Sequence, residues 1–131
     1  MRVGAKKPGR LSPILENRTK RSLEYALYKL KTSEISPYIQ QVYLYGSCAR
    51  REQSYGSDVD LFIELDESFD LEKYRSALHQ IKGSISPTFA NLPDIDLHVT
   101  VGEGWKEDKL LYYKNIRKEG IKLWDEQTTH I

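Results

Sequence analysis

Apolar and polar residues alternate in two stretches of the chain, and a third stretch is rich in β-branched and aromatic residues. Residues 58–65 and 95–101 follow a period of two, which puts apolar side chains on one face of a strand and polar ones on the other. The run 42–45 predicts another short strand, which ends at Gly46. We therefore expect a sheet with one apolar face.

Apolar residues at helical spacing predict three long helices. In chain order these are residues 12–31, 71–81 and 105–118, with a shorter helical turn at 47–52. Gly83 and Gly120 are expected to end the second and the third helix, and residues 121–124 to add a last short strand or a tail. Helices that alternate with strands predict an α/β domain in which the helices pack on a sheet.

Length and charge favour one domain with a basic arm. At roughly 100–200 residues per domain, 131 residues predict a single domain over 11–131, preceded by a basic flexible tail over 1–10. The net charge is +1, but residues 1–21 carry +6 and the remainder −5. Such a pooled charge does not predict binding to nucleic acid or lipid. For the arm, a solvated tail is the favoured interpretation and RNA binding the weaker one.

The distribution of apolar residues and cysteine narrows the class of protein further. No apolar run approaches the ~20 residues of a membrane-spanning helix, and no apolar segment of a secretory signal follows the basic start. Cys48 is the one cysteine, which excludes an internal disulfide and a cysteine-based zinc site. We expect a cytoplasmic protein without membrane contact.

The junction after the first predicted strand has the features of a phosphate site. At Gly46-Ser47 the strand passes into a helical turn, so that backbone N–H groups and a small hydroxyl face any anion in front of them. Arg50 offers further donors for phosphate oxygens, with even weight given to a plain surface role.

Acidic residues recur on the polar faces of the predicted strands. Asp58 and Asp60 are two residues apart, so both carboxylates leave one face of their strand. Asp96 joins them if its strand pairs beside theirs, and Asp94 is a weaker alternative. Neighbouring carboxylates repel each other unless a cation lies between them, and Mg²⁺ or Mn²⁺ prefers such oxygen ligands. A solvated strand face is the structural alternative for Asp96.

Together these residues resemble a known family. Gly46-Ser47, ten further residues and then Asp58-Val59-Asp60 form the GS-x10-D-x-D signature of DNA polymerase β-like nucleotidyltransferases. The chain is most similar to the minimal nucleotidyltransferases, the MNT proteins of bacteria and archaea. The resemblance covers about residues 40–124 and implies a palm of the polymerase β type, an α/β (α+β) fold with helices on a small mixed sheet.

The resemblance also implies roles for single residues. Four residues are expected to bind the nucleotide: Gly46, Ser47, Arg50 and Ser57. Gly46 and Ser47 are expected to hold its terminal phosphates. The metal ligands are Asp58, Asp60 and Asp96, which bind Mg²⁺ or alternatively Mn²⁺. The implied substrate is a nucleoside triphosphate, with ATP favoured, and Asp96 helps to deprotonate the acceptor hydroxyl.

Two hypotheses about the function stay open. The first is a metal-dependent transfer of AMP from ATP to a hydroxyl on a partner, which the resemblance implies to be a helical HEPN-type toxin. The second is a non-catalytic antitoxin that masks such a protein. A small-molecule modifier of the aminoglycoside nucleotidyltransferase type ranks below both, because 131 residues provide no further domain for a drug.

Two aromatic residues close to the motif are open to more than one interpretation. His98 shares a strand face with Asp96, and a hydrogen-bonded surface histidine is favoured over a part of the site. Tyr45 flanks the motif and could border a base, although most tyrosines are expected in the core or at its rim.

Overall fold

The long helices and the strands that the sequence predicts are found in the predicted order, with altered bounds for two of the helices. The computed structural model describes residues 13–46, 49, 58–89 and 91–125. The elements in chain order are α1 (Pro13–Lys31), a 3-10 helix (Ser36–Tyr38), β1 (Ile39–Tyr45), β2 (Val59–Leu65), α2 (Arg75–Ser84), β3 (Ile95–Val101), a second 3-10 helix (Gly104–Lys106), α3 (Leu111–Glu119) and β4 (Ile121–Asp125). The predicted tail at 1–10 and the turn at 47–52, apart from residue 49, lie outside the described residues.

The four strands form one mixed sheet in the order β3-β2-β1-β4. β1 pairs antiparallel with both β2 and β4, whereas β2 and β3 run parallel. A parallel pair needs a crossover connection, which here contains α2. The small mixed sheet with packed helices is therefore confirmed, and residues 121–124 belong to a strand.

The apolar faces of the strands pack against α1 and α2. The main core combines alternate residues of β1, β2 and β3 with helix residues such as Ala26, Leu30 and Ile81. The hydroxyl of buried Ser22 in α1 donates a hydrogen bond of 2.8 Å to the carbonyl of Pro93. This bond fastens the segment that leads into β3 to the long helix, and so helps to place the start of β3.

The other face of the sheet is partly covered as well. Phe62 of β2 is buried together with Trp105 and Ile116, which come from the second 3-10 helix and α3. The neighbouring Glu64 is also buried and accepts a hydrogen bond of 2.9 Å from the indole N–H of Trp105. The polar face of the strands is thus covered by a second, aromatic core around Phe62 and stays exposed at Asp96 and His98.

The second predicted helix is shifted along the chain. α2 begins at Arg75 and not at residue 71, and residues 71–74 form a turn. Oδ1 of Asp70 accepts hydrogen bonds from the N–H groups of Glu72 and Lys73, the pattern by which a side chain caps the start of a helix, so this turn leads into α2. The expectation that Gly83 ends this helix is wrong, since α2 continues to Ser84. Glycine is only mildly unfavourable inside a helix, so tertiary packing overrides it.

The third predicted helix, 105–118, is two elements in the structure. A 3-10 turn covers Gly104–Lys106, and α3 covers Leu111–Glu119. The interruption coincides with Asp108, whose Oδ1 accepts a hydrogen bond of 2.9 Å from the N–H of Leu110. Such a local bond competes with helix formation. Gly120 ends α3, as expected.

Within the described part of the chain, no helix combines the length and the apolarity that crossing a lipid bilayer requires.

Candidate active site

The carboxylates that the sequence singles out lie at the start of two neighbouring strands. β2 and β3 pair in register, so that Asp60 is opposite Asp96. On the other side of β2, Asp60 is opposite Tyr45, the last residue of β1. The end of β1 and the starts of β2 and β3 therefore meet at one edge of the sheet. The strand pairing that would bring Asp96 to the motif is thus present.

Asp60 is affected by its burial and by the neighbouring carboxylates. Burial raises the pKa of Asp60 above its ordinary value, and the negative charge of Asp96 raises it further. The two carboxyl groups are within hydrogen-bonding reach, Asp58 adds to the upward shift, and His98 opposes it. Two carboxyl groups in this relation are hard to ionise together unless a cation offsets their charges.

Gly46 makes this arrangement sterically possible. Its φ is +76°, a left-handed conformation that glycine adopts readily and other residues rarely. A Cβ atom at this position would lie 2.3 Å from Oδ2 of Asp60, which is inside van der Waals contact. The carboxylate of β2 thus lies directly against the backbone at the end of β1.

Three ring side chains, which we name the aromatic wall, stand beside the carboxylates: Tyr45, His98 and Tyr112. The hydroxyl groups of Tyr45 and Tyr112 are 3.0 Å apart, and their rings meet edge to face at 5.6 Å. The ring of His98 lies 6.0 Å from that of Tyr45 and 5.4 Å from that of Tyr112. Nε2 of His98 is 3.4 Å from Oδ2 of Asp96.

The two tyrosines of the wall are hydrogen-bonding groups and not bases at neutral pH. Burial raises the pKa of Tyr45 far above its ordinary value, and the hydrogen bond to Tyr112 adds to this shift. Burial raises the pKa of Tyr112 to about 12. Both hydroxyl groups therefore stay protonated in the physiological range.

Sequence reasoning found part of this wall. His98 is a partly exposed, hydrogen-bonded histidine, as the sequence predicts. Its partner is Asp96, so it also borders the site. The position of Tyr45 beside the motif indicates its place in the wall, whereas the sequence does not indicate Tyr112, since no local pattern shows that α3 folds back over the sheet.

The remaining candidates differ in how the structure places them. Asp58 is exposed just before β2 and is near enough to act on the pKa of Asp60. The weaker alternative, Asp94, is exposed, and its backbone carbonyl accepts a hydrogen bond of 2.8 Å from the N–H of Val59. The three other nucleotide-binding candidates lie outside the described residues: Ser47, Arg50 and Ser57.

The donors at this edge suit a hard divalent cation. Carboxylate oxygens are the ligands that Mg²⁺ and Mn²⁺ prefer, and a cation would relieve the mutual repulsion that raises the pKa of Asp60. Among the residues that the structure describes, no group of three or more His, Cys, Asp or Glu side chains is placed to hold a metal ion. The described centre of the site is therefore the pair Asp60 and Asp96, with Asp58 close by.

A groove between α1 and α2 offers no comparable chemistry. Its lining includes Lys29, Ser33 and Gln80. Both helices cover the apolar face of the sheet, which is the face opposite to Asp60 and Asp96. The groove is thus separate from the carboxylates.

Comparison with a family model agrees with the geometry. The model described as "Polymerase beta, Nucleotidyltransferase" matches residues 29–128, which include Gly46 and all three candidate carboxylates. No protein of curated function has a sequence significantly similar to this chain.

Two solved structures share the fold. A candidate nucleotidyltransferase from Sulfolobus solfataricus has a TM-score of 0.57 and 18% identity, over 96% of this chain and 95% of that chain. A toxin–antitoxin complex with AMP-PNP has a TM-score of 0.51 and 18% identity, over 82% of this chain and 77% of that chain. At such identities the likeness concerns the fold alone.

Proposed function

The chain belongs to the polymerase β-type nucleotidyltransferase family, and we propose that it transfers a nucleoside monophosphate to a hydroxyl group with the help of Mg²⁺ or Mn²⁺. The favoured reaction is the transfer of AMP from ATP. The observation that carries this proposal is the pair Asp60 and Asp96, which two parallel strands place side by side, with Asp60 against the backbone of Gly46. A partly buried acid beside a second acid has little structural benefit, because burial of a charge next to a like charge costs free energy.

Under this proposal the three acidic residues hold the divalent cations: Asp58, Asp60 and Asp96. When bound, the cations neutralise charge on the triphosphate and on the transition state. Gly46 opens the motif segment that we assign to phosphate binding, and it adds no side chain of its own beside the carboxylate of Asp60. We assign Ser47, Arg50 and Ser57 to the same nucleotide from the motif.

The proposed transfer is a displacement at the α-phosphorus. The acceptor oxygen forms a bond to the α-phosphorus, the bond from that phosphorus to the bridging oxygen breaks, and pyrophosphate leaves. The proton of the acceptor hydroxyl goes to Asp96, whose carboxylate is half-exposed and can meet an acceptor from solution. Asp60, which is more buried beside Gly46, serves as a ligand and not as a base.

Calorimetry with Mn²⁺ and a nonhydrolysable ATP analogue tests the site. The wild-type chain should bind the pair of ligands, and Asp60→Asn and Asp96→Asn should each weaken binding by more than about 100-fold, because loss of a mere hydrogen-bond partner of a ligand already costs about 10–100-fold. Asp94→Asn, an exposed acid next to β3, is the matched control and should bind like the wild type. A wild-type chain that binds neither Mn²⁺ nor the analogue would contradict the proposal.

For the acceptor we propose a hydroxyl on a partner protein, a helical toxin of HEPN type. The support is the resemblance to MNT proteins and the shared fold with a chain of a toxin–antitoxin complex that contains AMP-PNP. Intact-mass analysis after incubation with ATP, Mg²⁺ and the product of a neighbouring HEPN-type gene should show an AMP adduct on that product.

Masking of the toxin without catalysis is the alternative, and one double variant separates the two. Asp58→Asn with Asp60→Asn removes two candidate ligands and leaves the outer surface almost unchanged. If the variant still forms the complex but no longer neutralises the toxin, transfer is the function. If it neutralises the toxin as the wild type does, masking is.

A further inference from the structure

The carboxylate of Asp96 has a neighbour on its own strand. Residues two apart in a strand share a face, so His98 stands on the same side of the sheet as Asp96. Nε2 of the imidazole lies 3.4 Å from Oδ2 of Asp96, a long hydrogen bond that the carboxylate accepts from the ring N–H. The side chain of Asp96 is 53% exposed, so packing against apolar neighbours does not by itself fix its rotation.

The ring of His98 contacts side chains of two other elements. Tyr45 of β1 and Tyr112 of α3 contact it edge on or at a tilt, and the hydrogen bond of 3.0 Å between their hydroxyl groups joins them to each other. On β2, the buried Phe62 is the register partner of His98. The imidazole is 44% exposed and thus packs against the two tyrosines on one side, while its Nε2 faces the carboxylate of Asp96.

We propose that His98 is a positioning residue for the metal site: the aromatic wall fixes its ring, and the ring fixes the carboxylate of Asp96 in the orientation that receives a divalent cation. The inference rests on the proposed function, because it concerns the same carboxylates. An exposed carboxylate that must be ordered on binding loses rotational freedom, and a partner that orders it beforehand removes that cost.

Two substitutions separate the hydrogen bond from the packing. His98→Phe keeps a ring between the tyrosines but has no N–H, whereas His98→Gln keeps an N–H donor without the ring. His79 is exposed on α2 and far from the aromatic wall, so His79→Phe is the matched control. The probe is Mn²⁺ alone, titrated without nucleotide and followed by the electron paramagnetic resonance of free Mn²⁺.

The expected result is about a 10-fold weaker Mn²⁺ affinity for His98→Phe, the size of effect that loss of a ligand's hydrogen-bond partner has elsewhere. His98→Gln should recover part of the affinity, and His79→Phe should match the wild type. Thermal unfolding of His98→Phe in chelator should have the wild-type midpoint, since the packing of the ring is kept.

Each contrary result has a distinct meaning. Wild-type affinity in His98→Phe overturns the inference, and the proposed function stands if Asp60→Asn abolishes Mn²⁺ binding in the same assay. A lowered unfolding midpoint together with no recovery in His98→Gln also overturns it, because His98 would then only stabilise the fold. A wild-type chain that binds no Mn²⁺ overturns the inference and the proposed function together.

Discussion

Gly46 and Asp60 occupy adjoining space so tightly that a Cβ on residue 46 would lie 2.3 Å from Oδ2 of the carboxylate. Gly46→Ala should therefore displace the carboxylate of Asp60 from its position and force an unfavourable φ of +76° on alanine. We expect a loss of about 1–3 kcal/mol in the free energy of unfolding, and Mn²⁺ binding at least about 10-fold weaker. Urea unfolding and a Mn²⁺ titration measure the two effects.

Gly83→Ala is the control for this substitution. Gly83 lies within α2, and a Cβ there would meet no atom within 4 Å. Alanine is about 0.5–1 kcal/mol more favourable than glycine inside a helix, so this variant should be stabilised and should bind Mn²⁺ normally. Equal stability losses in both variants would contradict the steric explanation for Gly46.

The raised pKa of Asp60 predicts how stability depends on pH. The folded state holds the proton of Asp60 more tightly than the unfolded state does, so the wild type should gain stability as the pH falls through the raised pKa. Above that pKa the ionised pair is destabilising. In chelator at pH 7, Asp60→Asn should therefore have a higher unfolding midpoint than the wild type, and the difference should shrink towards pH 4. Saturating Mn²⁺ should reverse the order at pH 7.

The buried hydrogen bond between Trp105 and Glu64 should matter for stability. Trp105→Phe removes the indole N–H and leaves a buried carboxylate without that donor, so we expect a loss of about 2 kcal/mol in urea unfolding. Glu64→Gln keeps an acceptor oxygen for the indole and should cost less. A larger loss in Glu64→Gln than in Trp105→Phe would contradict this and show that the charge of Glu64 matters more than the hydrogen bond.

The hydroxyl pair in the aromatic wall can be measured by a double-mutant cycle. Tyr45→Phe and Tyr112→Phe each leave one partly buried hydroxyl without its partner, so each should cost about 1 kcal/mol. The double variant should cost less than the sum, with a coupling of about 0.5–1.5 kcal/mol. Additive losses would mean that the two hydroxyl groups do not stabilise each other.

Sequence periodicity predicted most elements of this fold because its strands and helices have clear apolar faces. The alternation in 58–65 and 95–101 has its counterpart in β2 and β3, and α1 follows its predicted range almost to the residue. Two of the boundaries that differ from the prediction lie beside an aspartate that bonds to the backbone. Asp70 caps a turn that leads into α2, whereas the bond that Asp108 accepts coincides with the break before α3.

The carboxylates could be predicted from the sequence, but their surroundings could not. Spacing along one strand places Asp58 and Asp60 on one face, and the family signature adds Asp96 as an expected ligand. The contact of Tyr112 with His98 joins residues 14 positions apart on a helix and a strand, and the packing of α3 alone creates it. The same holds for the steric fit between Gly46 and Asp60, which depends on the pairing of β1 with β2.

The helix that carries Tyr112 is anchored at the end that leads into β4. Arg117 of α3 donates a hydrogen bond of 2.6 Å to the carbonyl of Trp105, and directly after Gly120 the chain enters β4, which pairs with β1. Because Ile116 of α3 is also buried, we expect the helix to keep its place over the sheet, with Tyr112 beside the carboxylates. β3 is the edge strand that carries Asp96, so we expect a larger side chain on its exposed face to slow the exchange of nucleotide and acceptor more than one on the exposed face of α3.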